Sequence, residues 1–261
     1  MKSVLTIAGS DSSGGAGIQA DIKTIAAHGL FAQSVVTALT AQNTTGVYGV
    51  HDVPADFVAQ QIDVVFDDIR PDAVKIGMVS SEAIVDAIVG ALKRNGAENI
   101  VVDPVMVATS GSDLASDAAI VALRERLIPL ADVITPNVPE AEVLGEGPFE
   151  GREGQEQRAR DLARRFGVAV LVKGGHGAND ANDVLARPDG SVTWFDGERV
   201  DTANTHGTGC TLSSAIACGL AEGKTIEEAV AAAKAYITGA LAAGLDLGRG
   251  SGPLDHMWNH R

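Results

Sequence analysis

The segment His206-Gly207-Thr208-Gly209-Cys210-Thr211-Leu212 passes from a polar turn into a small-residue apolar stretch. At such a helix start several backbone N–H groups lack partners and the helix dipole adds to their field. The glycines let a phosphate come close, so an anion hole can form. Cys210 falls in that first turn, where a thiol gives up its proton more readily. The same residues would also make a glycine-packed helix start with an inert thiol. The segment Gly9-Ser10-Asp11-Ser12-Ser13-Gly14-Gly15-Ala16-Gly17 is a small-residue loop whose N–H groups can approach a ligand, or simply a tight turn. Gln42, in Gln42-Asn43-Thr44-Thr45-Gly46, carries an amide able to donate and accept against a heteroaromatic edge; a solvated polar turn is the alternative. Asp103 ends an apolar run and needs a partner, for which a cation or Mg²⁺ is suited. Lys173, in Lys173-Gly174-Gly175-His176, offers polyphosphate a point charge or pairs with a neighbouring acid.

These residues stand just past short apolar runs, and the runs alternate with stretches of helical period. Strands are expected over Ser3 to Ala8, Gln33 to Thr40, Ala73 to Gly77, Ile100 to Asp103, Val133 to Thr135 and Val168 to Lys173. Helices are expected over Gly15 to Ala27, Ala55 to Ile69, Ser81 to Arg94, Ser116 to Ile128, Arg152 to Phe166, Thr208 to Ala221 and Ile226 to Ala243. Alternation of this kind predicts an α/β fold, a parallel sheet covered on both faces. Two runs flanking Pro188-Asp189-Gly190 predict an antiparallel edge hairpin within Val184 to Val200. In such sheets ligands bind at the carboxyl ends of the strands, where the loaded segments fall.

The chain has 261 residues, 45% hydrophobic, with 30 glycines and no long polar linker, which predicts one domain over residues 1–261. A net charge of −14 argues against nucleic acid or an anionic membrane surface as partner, so any anion site must be built locally. Cys210 and Cys218 sit eight residues apart on one expected helix, about 12 Å along its axis, too far for a disulfide. The apolar run Val4 to Ala8 is too short for a signal peptide or a membrane span, and a reducing, cytoplasmic setting is expected. No CxxC, HExxH or His cluster marks a transition-metal site. Phosphate loops of the GxxxxGK[ST] kind are missing, and Gly207-Thr208-Gly209 lacks the third glycine of a dinucleotide loop.

Taken in order, Ala8 to Asp21, Asp103-Pro104-Val105-Met106, Lys173-Gly174-Gly175-His176 and His206 to Cys210 resemble the hydroxymethylpyrimidine/phosphomethylpyrimidine kinases over nearly the whole chain. The resemblance implies a ribokinase-like three-layer α/β/α sandwich with a mostly parallel central sheet. It implies phosphorylation by MgATP of 4-amino-5-hydroxymethyl-2-methylpyrimidine and then of its monophosphate, in thiamine biosynthesis. By resemblance, Gly9, Asp21, Gln42, Met78 and Val105 line the pyrimidine pocket, Cys210 acts as base, and Gly207 to Cys210, with Gly209, form the anion hole. Lys173, Asn137 and Thr208 serve the nucleotide, Lys173 through phosphates and not through a structural ion pair, and Asp103 and Glu140 serve Mg²⁺. A homodimer is expected from family habit and the edge hairpin. Vitamin B6 (pyridoxine/pyridoxal) kinases share the fold and remain the alternative; a non-catalytic pyrimidine sensor is a third reading, disfavoured by Lys173, Asp103 and Cys210. Two segments depart from the family pattern. Gly177-Ala178-Asn179-Asp180 replaces a usual apolar residue, which bears on closure over the nucleotide. Gly248-Arg249-Gly250 replaces a usual Gly-His-Gly, which raises the question of nucleotide affinity.

Overall fold

The computed structural model describes residues 1–106, 115–175 and 181–260, so His176 and the departure at Gly177 to Asp180 lie outside the described residues. The strands are β1 (Ser3–Asp11), β2 (Phe31–Asn43), β3 (Gly46–Asp52), β4 (Ala73–Ile76), β5 (Ile100–Val102), β6 (Val133–Ile134), β7 (Ala169–Val172), β8 (Asp183–Ala186) and β9 (Val192–Phe195). They form a nine-stranded sheet of order β3-β2-β1-β4-β5-β6-β7-β8-β9. Pairing is parallel from β2 to β7 and antiparallel at β2–β3, β7–β8 and β8–β9. The helices are α1 (Gly17–Ala27), α2 (Ala55–Asp68), α3 (Glu82–Asn95), α4 (Asp117–Ala122), α5 (Val138–Leu144), α6 (Gly151–Phe166), α7 (Thr208–Ala221) and α8 (Ile226–Ala242).

Successive strand residues point to opposite faces, and both faces are apolar, as a sheet covered on two sides requires. Leu5, Val74, Val102 and Val170 pack against α2, α3 and α6. Their neighbours Val4, Ala73, Val101 and Ala169 pack against α1, α7 and α8. The three-layer α/β/α sandwich is therefore as expected, and the 184–200 hairpin forms β8 and β9 around a turn closed by Gly190 N–H on Arg187 O.

Three expectations are corrected. Residues 42–46 are not a simple loop: β2 runs on to Asn43, turns at Thr44-Thr45 and pairs back with β3. A helix expected as continuous over Ser116 to Ile128 ends as α4 at Ala122 and continues as a π turn over Leu123–Leu127, then a 3-10 turn. Pro129, with no N–H to donate, sits in that last turn. Helix α5 was not anticipated, although Asn137-Val138-Pro139-Glu140 has the spacing of a capping box: Asn137 Oδ1 accepts from Glu140 N–H at 2.9 Å and Glu140 Oε2 from Asn137 N–H at 2.8 Å.

Candidate active site

The carboxyl ends of the strands open into a cavity of about 410 Å³ that reaches across the sheet from Gln42 near the end of β2 to Asp183 at the start of β8. The first turn of α7 faces it with Gly207, Thr208, Gly209 and Cys210. Gly207 adopts φ +86°, and a Cβ there would overlap the Gly15 carbonyl oxygen, so only glycine lets the α7 start close against the loop after β1. At Gly209 a Cβ would come 3.2 Å from Lys173 Nζ and 3.3 Å from Asp103 Oδ2. The first turn of α7 and the Lys173 ammonium thus meet at one point.

Gly9, Gln42, Met78 and Val105 all line this cavity. Each of the first two sits at a strand irregularity. The β1–β2 register slips between Ala8 and Ser10, around Gly9, and a Cβ on Gly9 would lie 3.0 Å from Met78 Sδ. The β2–β3 register slips at Gln42, and such a bulge re-aims a side chain. Ser12 Oγ pins the Gln42 backbone, accepting its N–H and donating to its carbonyl, both at 2.8 Å. The Gln42 amide lies between Thr40 Oγ1 at 3.1 Å and His206 Nε2 at 3.4 Å.

Asp21 is not in the cavity wall. It is fully buried below it, accepting from Lys75 Nζ at 2.9 Å on both oxygens, from Thr6 Oγ1 at 2.5 Å and from Ser214 Oγ at 2.8 Å. With those acceptor positions spent on the protein, the expectation of direct pyrimidine contact is replaced by a structural ion pair under the site. Lys75, likewise fully buried, was missed; one apolar-flanked lysine in Val74-Lys75-Ile76 carries no mark of its partner. Burial opposes its charge, yet Asp21, with Cys210 and Asp103, holds it above the ordinary lysine value.

The loop after β1 spends its N–H groups internally. The Asp11 carboxylate accepts from Ser13 N–H at 2.8 Å, Gly15 N–H at 3.0 Å and Ala16 N–H at 2.8 Å, and from His206 Nε2 at 2.8 Å. Burial would raise Asp11, but His206 and these donors hold it down to about 2. The glycine-rich loop is thus a tight turn organised by its own acid, and Asp11 and His206 both line the cavity.

In the middle of the cavity Lys173 donates to Asp103 Oδ1 at 2.8 Å, and Thr135 Oγ1 to the same oxygen at 3.0 Å. The expectation that Lys173 forms no structural ion pair is therefore corrected: an acid ending β5 and a lysine ending β7 are both desolvated, and pairing offsets that cost. Burial works against Asp103 ionising, but Lys173 and Lys75 hold it below the ordinary aspartate value; burial likewise opposes the Lys173 charge, which Asp103 and Glu140 sustain. Burial raises Glu140 to about 7, with Lys173 opposing and Asp103 adding to the rise. Asn137 and Glu140, which cap α5, both line the cavity beside this pair.

Cys210 does not have the lowered pKa expected of it. Desolvation by burial pushes the thiol up to about 11; Lys75 pulls it down, and Asp21 and Asp103 push it further up. Thr208 Oγ1 donates to Thr205 O at 2.7 Å, tightening the turn before α7. At the β8–β9 end the cavity wall is made by Val200, Ile237 and Leu241 with Arg199, an apolar slot next to a cation that no single motif announces. Arg249 is not at this end: its N–H donates to Thr44 Oγ1 in the β2–β3 turn, beside the Gln42 end.

A family model described as phosphomethylpyrimidine kinase matches residues 11–255. The chain is 51% identical over 257 residues to a hydroxymethylpyrimidine/phosphomethylpyrimidine kinase of Rhizobium meliloti (strain 1021), covering 97% of this chain and 96% of that protein. It is 51% identical over 98% of its length to a thiamine biosynthesis bifunctional protein of Geobacter sulfurreducens, of which it spans 52%. Among solved structures, phosphomethylpyrimidine kinase from Clostridium difficile 630 matches at a TM-score of 0.81 and 45% identity, over 91% of this chain and 98% of that one. An ADP complex of Bacillus subtilis pyridoxal kinase matches at a TM-score of 0.91 and 34% identity, over 100% of this chain and 99% of that one.

Proposed function

The chain belongs to the phosphomethylpyrimidine kinase family, and we propose that it transfers phosphate from ATP to the hydroxymethyl oxygen of 4-amino-5-hydroxymethyl-2-methylpyrimidine, then to the phosphate of the product. The observation that carries this reading is the meeting of Lys173, Asp103 and the first turn of α7 at Gly209, midway along a cavity with Gln42 at one end and an apolar slot at the other. Phosphoryl transfer asks mainly for alignment and for neutralisation of charge on the transferred group. Lys173 and the α7 N-terminus supply the neutralising field, and the Gln42 end and the Val200 slot hold acceptor and donor in line. Pyridoxal kinase shares the outline more closely than the identity ranking suggests, because the fold is common to both; the higher identity to pyrimidine kinases favours the pyrimidine.

Mg²⁺ with ATP fits the residues present. Asp103 and Glu140 bring two buried carboxyls to the cavity wall beside Lys173, oxygen ligands of the kind Mg²⁺ takes. Among the described residues no group of three or more His, Cys, Asp and Glu could hold a metal alone, so phosphate oxygens and water would complete the shell, the habit of Mg²⁺. When bound, Mg²⁺ would offset charge on the transferred phosphate. Cys210 is the proposed proton acceptor for the substrate hydroxyl, acting as thiolate, with Lys75 below it favouring that form.

The proposal includes one kinase domain over residues 1–261, supported by the single sheet, and a cytoplasmic setting, supported by the two free thiols. Among the described residues no helix is long and apolar enough to cross a membrane. It also includes a homodimer. Exposed Leu39, Tyr48 and Val50 on the β2–β3 edge favour that edge as the contact, ahead of the β8–β9 hairpin. Light scattering tests the dimer. ADP release tests the function: the pyrimidine alcohol and its monophosphate should both be turned over, with kcat/KM above those for pyridoxal and pyridoxine. Preference for a B6 vitamer would reverse the assignment.

A further inference from the structure

We infer that Thr40, His206 and Asp11 lock the side-chain amide of Gln42 in one orientation, so that these positioning residues decide the order in which the site presents a donor and an acceptor to the substrate ring. The inference rests on the pyrimidine kinase reading and deepens it. An amide has the same outline either way round, so its orientation follows from counting protons on its neighbours.

Two independent counts agree. Asp11 is ionised and accepts from His206 Nε2 at 2.8 Å, so the proton of that imidazole edge sits on Nε2 and points at Asp11. Gln42 Nε2 is placed 3.4 Å from His206 Nε2, an arrangement that opposes donor to donor, so the proton count turns the amide over and assigns its carbonyl oxygen to that position. At the other end, Thr40 Oγ1 lies 2.9 Å from the Ser10 carbonyl, which can only accept, so the single hydroxyl proton goes there. Gln42 Oε1 is placed 3.1 Å from Thr40 Oγ1, which then has only lone pairs to offer, so the same turn of the amide, bringing its nitrogen to face Thr40, satisfies this end as well. The Ser12 clasp on the Gln42 backbone and the bulge at that residue hold the side chain between the two neighbours.

A locked amide reads order as well as polarity. A 4-aminopyrimidine edge carries an exocyclic donor beside a ring acceptor; the corresponding 4(3H)-one carries an exocyclic acceptor beside a ring donor. Only by turning over could the amide serve the second as well as the first, and Thr40 and His206 both oppose that turn.

The test compares kcat/KM for 4-amino-5-hydroxymethyl-2-methylpyrimidine with that for 5-hydroxymethyl-2-methylpyrimidin-4(3H)-one in wild type, Thr40→Val and Thr40→Ser. Because each ratio comes from one preparation, loss of folded protein cancels. Wild type and Thr40→Ser should strongly prefer the amino compound, and Thr40→Val should lose roughly tenfold or more of that preference. If Thr40→Val lacks turnover, the ratio of the two Kd values by calorimetry gives the same readout. A Thr40→Val ratio equal to wild type, with both compounds weakened alike, would overturn the lock and leave the kinase reading standing. A wild-type enzyme that accepts neither pyrimidine would remove the reading itself, and the inference with it.

Discussion

Lys173 Nζ stands 2.8 Å from Asp103 Oδ1, joining the residue after β7 to the residue after β5 directly beneath Gly209. The lysine keeps a buried carboxylate ionised and, in the proposed reaction, would also supply the cation at the start of α7. Structure and catalysis are therefore separable only by changing both partners.

Lys173→Met should cost about 3–5 kcal/mol of stability, because it strands Asp103 without its counter-charge in a desolvated position. Lys173→Met/Asp103→Asn should recover much of that loss in urea denaturation. Turnover should stay depressed about 10²-fold or more in both, since neither restores a cation beneath the anion hole. Recovery of turnover along with stability would mean that Lys173 acts only as a structural partner.

Cys210, with its thiol raised to about 11, is almost wholly protonated in the free enzyme at neutral pH. If the thiolate accepts the hydroxyl proton, its fraction grows with pH, so kcat/KM should climb close to tenfold per pH unit above pH 7. Cys210→Ala should lose about 10²–10⁴-fold in rate and lose that alkaline limb, while still binding ATP. A flat wild-type profile from pH 7 to 9 would exclude the thiolate as base. Iodoacetamide labelling should follow the same rise for Cys210. Cys218, fully buried and pushed further up by burial, should stay unlabelled until the chain unfolds.

Glu140 keeps its proton in the folded state up to about 7, whereas an unburied glutamate releases it near 4.5. Between those values the native state binds more protons than the unfolded one, so stability contributed by this group falls as pH rises through the window. Glu140→Gln keeps the cap on Asn137 N–H and should match wild type near pH 5 but exceed it in urea midpoint at pH 8. In the wild type, the Mg²⁺ concentration for half-maximal turnover should fall as pH rises through 7. A urea midpoint at pH 8 no higher than wild type would show that burial does not set this carboxyl.

Gln42→Ala should raise the KM for the pyrimidine by an amount equivalent to about 1–3 kcal/mol and leave the KM for ATP near wild type. Equal effects on both would place Gln42 outside the pyrimidine end of the cavity.

The sequence by itself determined the alternating strands and helices, the edge hairpin, the start of α7 at Thr208 and the gathering of Gly9, Gln42, Asp103, Lys173 and Cys210 at the carboxyl ends of the strands. Those signals are written in contiguous residues: apolar period, turn chemistry and caps depend on neighbours a few positions away. Tertiary structure decided what the charges meet. Asp11 and His206 pair across 195 residues, Asp21 and Lys75 across 54, and Lys173 and Asp103 across 70. A buried charge is defined by its partner and its desolvation, neither of which its own segment encodes, so Asp21 lies beneath the cavity in an ion pair and Cys210 is pushed up rather than down. The bulge that aims Gln42 depends on the β2–β3 register, a property of two strands together, and so it too appears only once the sheet is assembled.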